Sequence, residues 1–292
     1  MRAPCVGLVG LGLMGRAMAG RFIAAGHAVC GYDRREEACR EAAALGVEIL
    51  PDAQAVAKAA SPVFLSLLTS QQRHELLWGA QAMAGALERG ALLLDTTTGR
   101  PEDTVADAQR LDAHGVRLVD VSVSGSSQTV AEGRAVAIIG DTEAGAARYA
   151  HLIATFCKAQ FCMGAPGQGN RVKLIVNLVM GLNRLVLAEA LALAEKGGFD
   201  LRVVLDILRA GDSHSVAMDT KGPKMVAGSY EPVAARLAQH AKDVDLILQY
   251  AETVGADVPV TALHAEMLRR ALERGVGELD NAAIFEAYRL WT

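Results

Sequence analysis

Cysteine is sparse: five residues, Cys5, Cys30, Cys39, Cys157 and Cys162, form an odd set at irregular spacing in a chain of 292 residues. A chain of this length can bury a core without disulfide staples, so a reducing, cytoplasmic setting is expected. Positive charge is not in excess, since 29 Lys and Arg against 33 Asp and Glu give a formal net charge of -4. That excludes the basic surface a nucleic-acid partner requires. Aromatic residues make up 4% of the chain, with two tryptophans. Together with the lack of a basic amphipathic helix, this leaves little to hold a membrane surface. The seven histidines are scattered without metal-ligand spacing, and Cys157 and Cys162 lack a second pair, so no metal is expected. The first ten residues carry one arginine and run directly into an apolar segment and a glycine turn, so no export signal is expected.

Apolar residues, by contrast, are abundant at 51%, with 21% charged, the balance of a globular protein. Short apolar runs at residues 5–9, 28–32, 63–68, 91–94, 117–121 and 135–139 alternate with helical stretches. The alternation predicts parallel strands joined by helical crossovers. Runs at 47–50 and 159–163 predict edge strands. After Gly164 the apolar spacing turns helical to the C-terminus. The expected architecture is therefore α/β: a doubly wound Rossmann domain over 1–164, then an all-helical domain over 165–292, joined through a long interdomain helix. That helix should run from about 170 to 196 and stop at Gly197 and Gly198, with further helices at 201–210, 234–254, 260–274 and 281–290. The stretch 172–194 approaches membrane-spanning length. It contains Lys173, Asn177, Asn183, Arg184 and Glu189, whose burial in lipid is costly, so a buried helix is expected and no membrane partner.

The segment Gly10-Leu11-Gly12-Leu13-Met14-Gly15 follows the first strand and opens a helix, the context in which a GxGxxG pattern binds a dinucleotide. Gly10 permits the tight turn, Gly12 admits a pyrophosphate to the backbone, and Gly15 lets helix and strand pack closely. Asp33 ends the second strand about 20 residues later, where a carboxylate can accept hydrogen bonds from the adenosine ribose. This favours NAD. Arg34 and Arg35 follow it, and a guanidinium there could pair with the extra phosphate of NADP, so NADP stays open.

The Met-Gly ending of this glycine motif resembles the opening of the β-hydroxyacid dehydrogenases, and three later segments agree. Asp95-Thr96-Thr97-Thr98-Gly99-Arg100-Pro101 resembles that family's Asp-x-Ser-Thr-x-x-Pro loop. Asp120-Val121-Ser122-Val123-Ser124-Gly125-Ser126 resembles its substrate motif Asp-Ala-Pro-Val-Ser-Gly-Gly. Gly167-Gln168-Gly169 with Lys173 and Asn177 resembles its catalytic motif, and Lys242-Asp243 a late-helix pair that closes over the nicotinamide. The departures are Thr69, Ser122, Ser126 and Val176, none of which removes a presumed catalytic group. Ser124-Gly125-Ser126 and Leu174-Ile175-Val176-Asn177 are similar to the glyoxylate/succinic semialdehyde reductase branch, in which an asparagine and arginine at the positions of Asp33 and Arg34 accept NADP.

Four residues separate Lys173 and Asn177, so on a helix they share a face, and Arg184 returns to it three turns after Lys173. From spacing alone Lys173 could equally reach solvent from the first turns of the helix. The resemblance implies instead that Lys173 exchanges the substrate's hydroxyl proton and that Asn177 orients that hydroxyl. It also implies that Ser124, Gly125 and Ser126 hold a carboxylate, and that Leu68, Thr98 and Lys242 face the nicotinamide half. The implied reaction is NAD(P)-dependent hydride exchange with a small β-hydroxy acid or its semialdehyde. The apolar length of the helix suggests a homodimer or homotetramer. Two other classes compete: a non-catalytic dinucleotide-binding or assembly protein, which retention of Lys173 and Asn177 disfavours, and an imine reductase on the related fold, which Ser124-Gly125 and Lys173 disfavour.

Overall fold

Eight strands form one sheet in the computed structural model, which describes residues 5–80 and 82–289. They are β1 (Cys5–Val9), β2 (Val29–Tyr32), β3 (Glu48–Ile49), β4 (Ala60–Leu65), β5 (Leu92–Asp95), β6 (Arg117–Ser124), β7 (Ala135–Ile139) and β8 (Cys157–Cys162). Their order is β3-β2-β1-β4-β5-β6-β7-β8. Apolar runs without polar alternation mark strands buried on both faces, and β4 shows why. Phe64 packs with Phe22 and Phe156 in one core, while its neighbour Leu65 packs with Leu77, Met83 and Leu111 in another. The chain leaves β1 for β2 and β3 on one side and returns to β4 on the other, so the C-terminal ends of β1 and β4 flank the topological switch point.

All pairings are parallel except one. β7 runs antiparallel to β6, with Val121 opposite Ile139 and Ser124 opposite Val136, which corrects the expectation of parallel strands throughout. The link from Gly125 to Arg134 holds only the short helix Ser127–Ala131, and a parallel crossover needs roughly a dozen residues or more. The chain therefore turns back at once.

Helices α1 (Leu13–Ala24), α2 (Glu36–Ala44), α3 (Ala53–Ala59), α4 (Ser70–Trp78), α5 (Pro101–Asp112), α6 (Ser127–Ala131), α7 (Glu143–Ala146) and α8 (Ala150–Ile153) accompany the sheet. Then come α9 (Gln168–Lys196), α10 (Leu201–Ala210), α11 (Val216–Thr220), α12 (Gly222–Ala227), α13 (Leu237–Val254), α14 (Pro259–Glu273) and α15 (Glu286–Arg289). The region after Gly164 is helical, as the apolar spacing implies. Sequence periodicity misses α11 and α12, which span fewer than two turns each and are too short to show it. The expected last helix opens as a 3-10 turn over Asn281–Phe285, and its end at Leu290 lies outside the described residues. Two compact units divide inside α9, at Met1–Lys173 and Leu174–Thr292. The second has its own core around Leu187, Leu191, Met225 and Phe285.

Candidate active site

The turn after β1 can be built only with glycine. Gly10 has φ +96°, and a Cβ on it would lie 2.2 Å from the Ser66 carbonyl oxygen. A Cβ on Gly15 would lie 2.0 Å from the Gly10 carbonyl oxygen, which holds α1 tight against the turn. Gly12 is different: its nearest neighbour would be the Arg35 guanidinium at 3.5 Å, an ordinary contact. Internal packing does not require glycine there, so the open space on that side is left for a ligand. Helix α1 has no side-chain cap and no acidic residue in its first turn. Its first N–H groups therefore lack a side-chain acceptor, which suits a pyrophosphate. The exposed leucines Leu13 and Leu68 flank the ends of β1 and β4 and offer apolar cover. The loop thus fits an adenine dinucleotide.

Asp33 accepts from the Leu11 N–H at 2.8 Å, which ties the end of β2 to the glycine loop. It also accepts from the backbone N of Arg35 at 2.9 Å and from its side chain at 3.2 and 3.1 Å. Burial alone would raise this carboxyl, but the Arg35 and Leu11 hydrogen bonds outweigh it and hold Asp33 below its ordinary value. Both arginines are exposed, but it is Arg35 that the structure brings onto Asp33.

The loop after β5 is tied across to β4. Both the N–H and the hydroxyl of Thr96 donate to the Leu65 carbonyl at 2.8 Å, and Thr97 Oγ1 accepts from Leu67 N at 3.2 Å. Beneath it the fully buried Arg73 pairs with Asp95 at 2.5 Å and Asp107 at 2.9 Å. Thr98 is half-buried at the loop's far end, and Leu68 is 53% exposed beyond the end of β4.

Asp120, fully buried on β6, organises the start of α9. Its Oδ1 accepts from Gly167 N at 2.8 Å and its Oδ2 from Asn170 N at 2.7 Å. Burial nevertheless pushes this carboxyl up, with the charge of Asp95 adding to the effect. Glycines make room for it: a Cβ on Gly140 would sit 1.9 Å from Oδ1, and one on Gly169 would sit 2.8 Å from Oδ2. The Asn170 side chain then reaches Thr104 Oγ1 at 3.2 Å, and Thr104 also accepts from Arg73 at 3.1 Å. Lys173 follows Asn170 by one turn. On the adjacent loop Gly125 has φ +149°, and Ser126 caps α6 by accepting from Thr129 N at 3.2 Å.

Helix α9 buries a polar stripe beside its apolar core residues Leu174, Leu187, Ala188 and Leu191, and leaves a second apolar stripe outside. Lys173, Asn177 and Arg184 share one stripe and are 6%, 7% and 5% exposed, whereas Ile175, Val179, Val186 and Leu193 are exposed. At 3.6 residues per turn the two stripes lie about 180° apart. In the second unit Asn177 Nδ2 donates to Asp243 Oδ2 at 3.1 Å, and Lys242 Nζ pairs with Asp243 Oδ1 at 2.8 Å. Burial holds Arg184 down to about 10 against the charges of Asp280 and Asp243. Burial, with the charge of Arg184 beside it, pushes His264 down to about 4.

Residues 5–164 match the NAD binding domain of 6-phosphogluconate dehydrogenase, and residues 167–288 the NAD-binding domain of NADP-dependent 3-hydroxyisobutyrate dehydrogenase. The chain belongs to the β-hydroxyacid dehydrogenase family. It is 27% identical to 2-(hydroxymethyl)glutarate dehydrogenase of Eubacterium barkeri, over 98% of this chain and 95% of that protein. It is 28% identical to 2-hydroxy-3-oxopropionate reductase of Escherichia coli K12, over 98% and 97%. A crystal structure of 3-hydroxyisobutyrate dehydrogenase from Salmonella typhimurium shares the fold, with TM-score 0.89 and 24% identity over 97% of this chain and 99% of that one. As a member of this family the chain is an NAD(P)-dependent oxidoreductase.

In this dehydrogenase the first unit brings together Gly10 to Gly15, Asp33, Leu68 and Thr98 at the C-terminal edge of the sheet, together with Ser124 to Ser126 at the end of β6. The second unit brings together Asn177, Lys242 and Asp243. Sequence reasoning quoted Asp120 and Asp95 only as the opening residues of two motifs and missed the bonds of Asp120 to the start of α9, Asn170 and the Arg73 network. The available signal was the glycines at 140, 167 and 169, which mark backbone crowding around a buried group.

Proposed function

We propose that this dehydrogenase interconverts a small β-hydroxy acid and its semialdehyde, with Lys173 exchanging the substrate proton. The observation that carries the reading is a buried lysine, 6% exposed, near the start of a helix whose first turn is bonded to Asp120. Bound NAD(P) supplies or accepts the hydride at the carbon bearing the oxygen. In oxidation Lys173 Nζ takes the hydroxyl proton as the C–H pair leaves; in reduction it returns that proton to the carbonyl oxygen. Asn177, oriented by Asp243, holds the substrate oxygen in line with Lys173. Ser124, Gly125 and Ser126 receive the carboxylate on hydroxyl and backbone N–H groups, with Gly125 leaving room for close approach. Leu68 and Thr98 border the nicotinamide half, and the role proposed for Lys242 is that of a second cation for the nicotinamide or the carboxylate. NAD is the favoured cofactor because Asp33 presents a carboxylate to the ribose, with NADP as the alternative. The setting proposed is cytoplasmic, and the assembly a homodimer or homotetramer.

The test is initial rate by nicotinamide absorbance. NADH and NADPH are paired with tartronate semialdehyde, succinic semialdehyde and glyoxylate, and the oxidised cofactors with 3-hydroxyisobutyrate and related acids. Turnover on at least one acid or semialdehyde is expected. Lys173→Ala should then lower kcat by roughly a thousandfold or more while cofactor affinity stays within a few-fold. Near-parental turnover in that variant would remove Lys173 from the chemistry. Silence across the panel with intact cofactor binding would favour a non-catalytic role.

A further inference from the structure

The bonds to Asp33 leave little of its carboxylate for a ligand. A carboxylate offers about four lone-pair sites, and four N–H groups already point at this one. Leu11 N donates to Oδ2 at 2.8 Å and Arg35 N to Oδ1 at 2.9 Å. The Arg35 side chain donates through Nε to Oδ1 at 3.2 Å and through Nη2 to Oδ2 at 3.1 Å. The two backbone bonds are part of the turn and stay. A ribose diol that hydrogen-bonds Asp33 must therefore take the place of the Arg35 guanidinium. The same guanidinium overhangs the glycine loop, since Nη2 is the nearest atom to a Cβ position on Gly12. Arg34 contributes none of these bonds and is exposed.

We infer that Arg35 is the cofactor-discriminating residue of this chain, competing with the adenosine ribose for Asp33 and turning to the 2′-phosphate when NADP(H) is bound. The inference rests on the reading that the glycine loop holds the dinucleotide. Release of the arginine leads into solvent, since its side chain is 56% exposed against 8% for Asp33, and a pair with one end in water is worth on the order of fivefold in an equilibrium constant. A phosphate dianion offers the guanidinium stronger, bidentate, charge-assisted bonds than a carboxylate already shared with two backbone N–H groups. Asp33 repels that phosphate, and Glu37 and Glu41, whose charges also reach Arg35, add to the repulsion. Selectivity is then a small difference between opposing terms, and the arginine enters both with opposite sign.

The experiment is equilibrium binding of NADH and of NADPH, without substrate, followed by nicotinamide fluorescence in the parent, Arg35→Ala, Arg34→Ala, Asp33→Ala and the Asp33→Ala/Arg35→Ala pair. Arg35→Ala should tighten NADH about two- to fivefold, by removing the competitor, and weaken NADPH roughly tenfold or more, by removing the phosphate partner. In the Asp33→Ala background the tightening of NADH should vanish, because no carboxylate is left to compete for. Equal movement of both nucleotides, no movement of either, or the crossed pattern appearing in Arg34→Ala would overturn the inference. A parent chain that binds neither nucleotide would overturn the cofactor site itself, a result distinct from all of these.

Discussion

His264 shows how one residue's surroundings set a property of the whole chain. Its ring lies 5.1 Å from that of His240, centre to centre, and both pack against α9 where Gly181 has no side chain. A Cβ there would meet His264 at 2.7 Å. Because His264 is pushed down to about 4 from an ordinary 6.5, the folded chain binds fewer protons than the unfolded chain between those values. A histidine kept neutral costs stability as the medium acidifies, so stability should fall as pH drops from about 7 toward 4. A shift of this size corresponds to a loss on the order of 3 kcal/mol. His264→Gln keeps a polar side chain of similar reach without the titration. Urea midpoints at pH 7 and pH 5 should therefore converge in the variant relative to the parent. Equal acid sensitivity in the two proteins would assign the loss to other groups. At this scale the sequence was legible where chemistry is local: Gly10, Gly12 and Gly15 each do a different thing, and their spacing announced it. Asp120 was in view as part of a motif, but its task stayed hidden because its partners Gly167 and Asn170 lie 47 and 50 residues away, a pairing that no periodicity encodes.

The start of α9 is governed by that distant carboxylate. Asp120 satisfies Gly167 N and Asn170 N, and Thr104 links Asn170 to Arg73 and so to Asp95 below the Thr96 to Thr98 loop. The helix that carries Lys173 is thereby tied to the strand that leads to Ser124 and to the loop that carries Thr98. Asp120→Asn keeps the volume but turns one acceptor into a donor facing a backbone N–H, which costs about 1–3 kcal/mol when buried. The expected result is a lower urea midpoint at unchanged m-value together with a reduced kcat, while NADH affinity changes little because the glycine loop is untouched. An unchanged midpoint would mean that the first turn of α9 is held by something else. Whole elements were legible for the same reason the glycines were: the eight strands appear as apolar runs and α9 as an unbroken helical pattern ended by Gly197 and Gly198. The direction of β7 was not, because direction depends on the length and geometry of the link from 125 to 134 and not on the strand's own residues. Sequence had marked that link as a crossover, and its ten residues hold only a five-residue helix.

Across the molecule, the proposed oligomer would draw on the apolar stripe that α9 leaves exposed. An ordinary amphipathic helix has one apolar stripe, turned to the core; α9 buries Leu187 and Leu191 along with Lys173, Asn177 and Arg184 and leaves a second apolar stripe, Ile175, Val179, Val186 and Leu193, exposed. The steps of four, seven and seven residues keep those four on one side of the helix, the arrangement two helices use to pack against each other. This helix is also apolar enough over 18 residues to pass for a membrane span, with mean hydropathy 1.7. Its buried cation stripe, however, has no counterpart in lipid, where charged groups are costly. A second copy of the chain covers such a stripe without that cost, and a closed two-fold pairing presents the same face from both partners. The parent should accordingly run as a dimer or larger assembly in light scattering coupled to size exclusion. Val186→Glu with Leu193→Glu should shift it toward the monomer mass, because like charges would face one another at the centre of the contact. Both residues lie at least two turns beyond Asn177, so nucleotide binding should persist in the separated chains. A parent that is monomeric at micromolar concentration would show that α9 keeps its apolar face in water and that the oligomer expected from its sequence is absent, whereas a double variant with the mass of an oligomeric parent would place the contact on another surface.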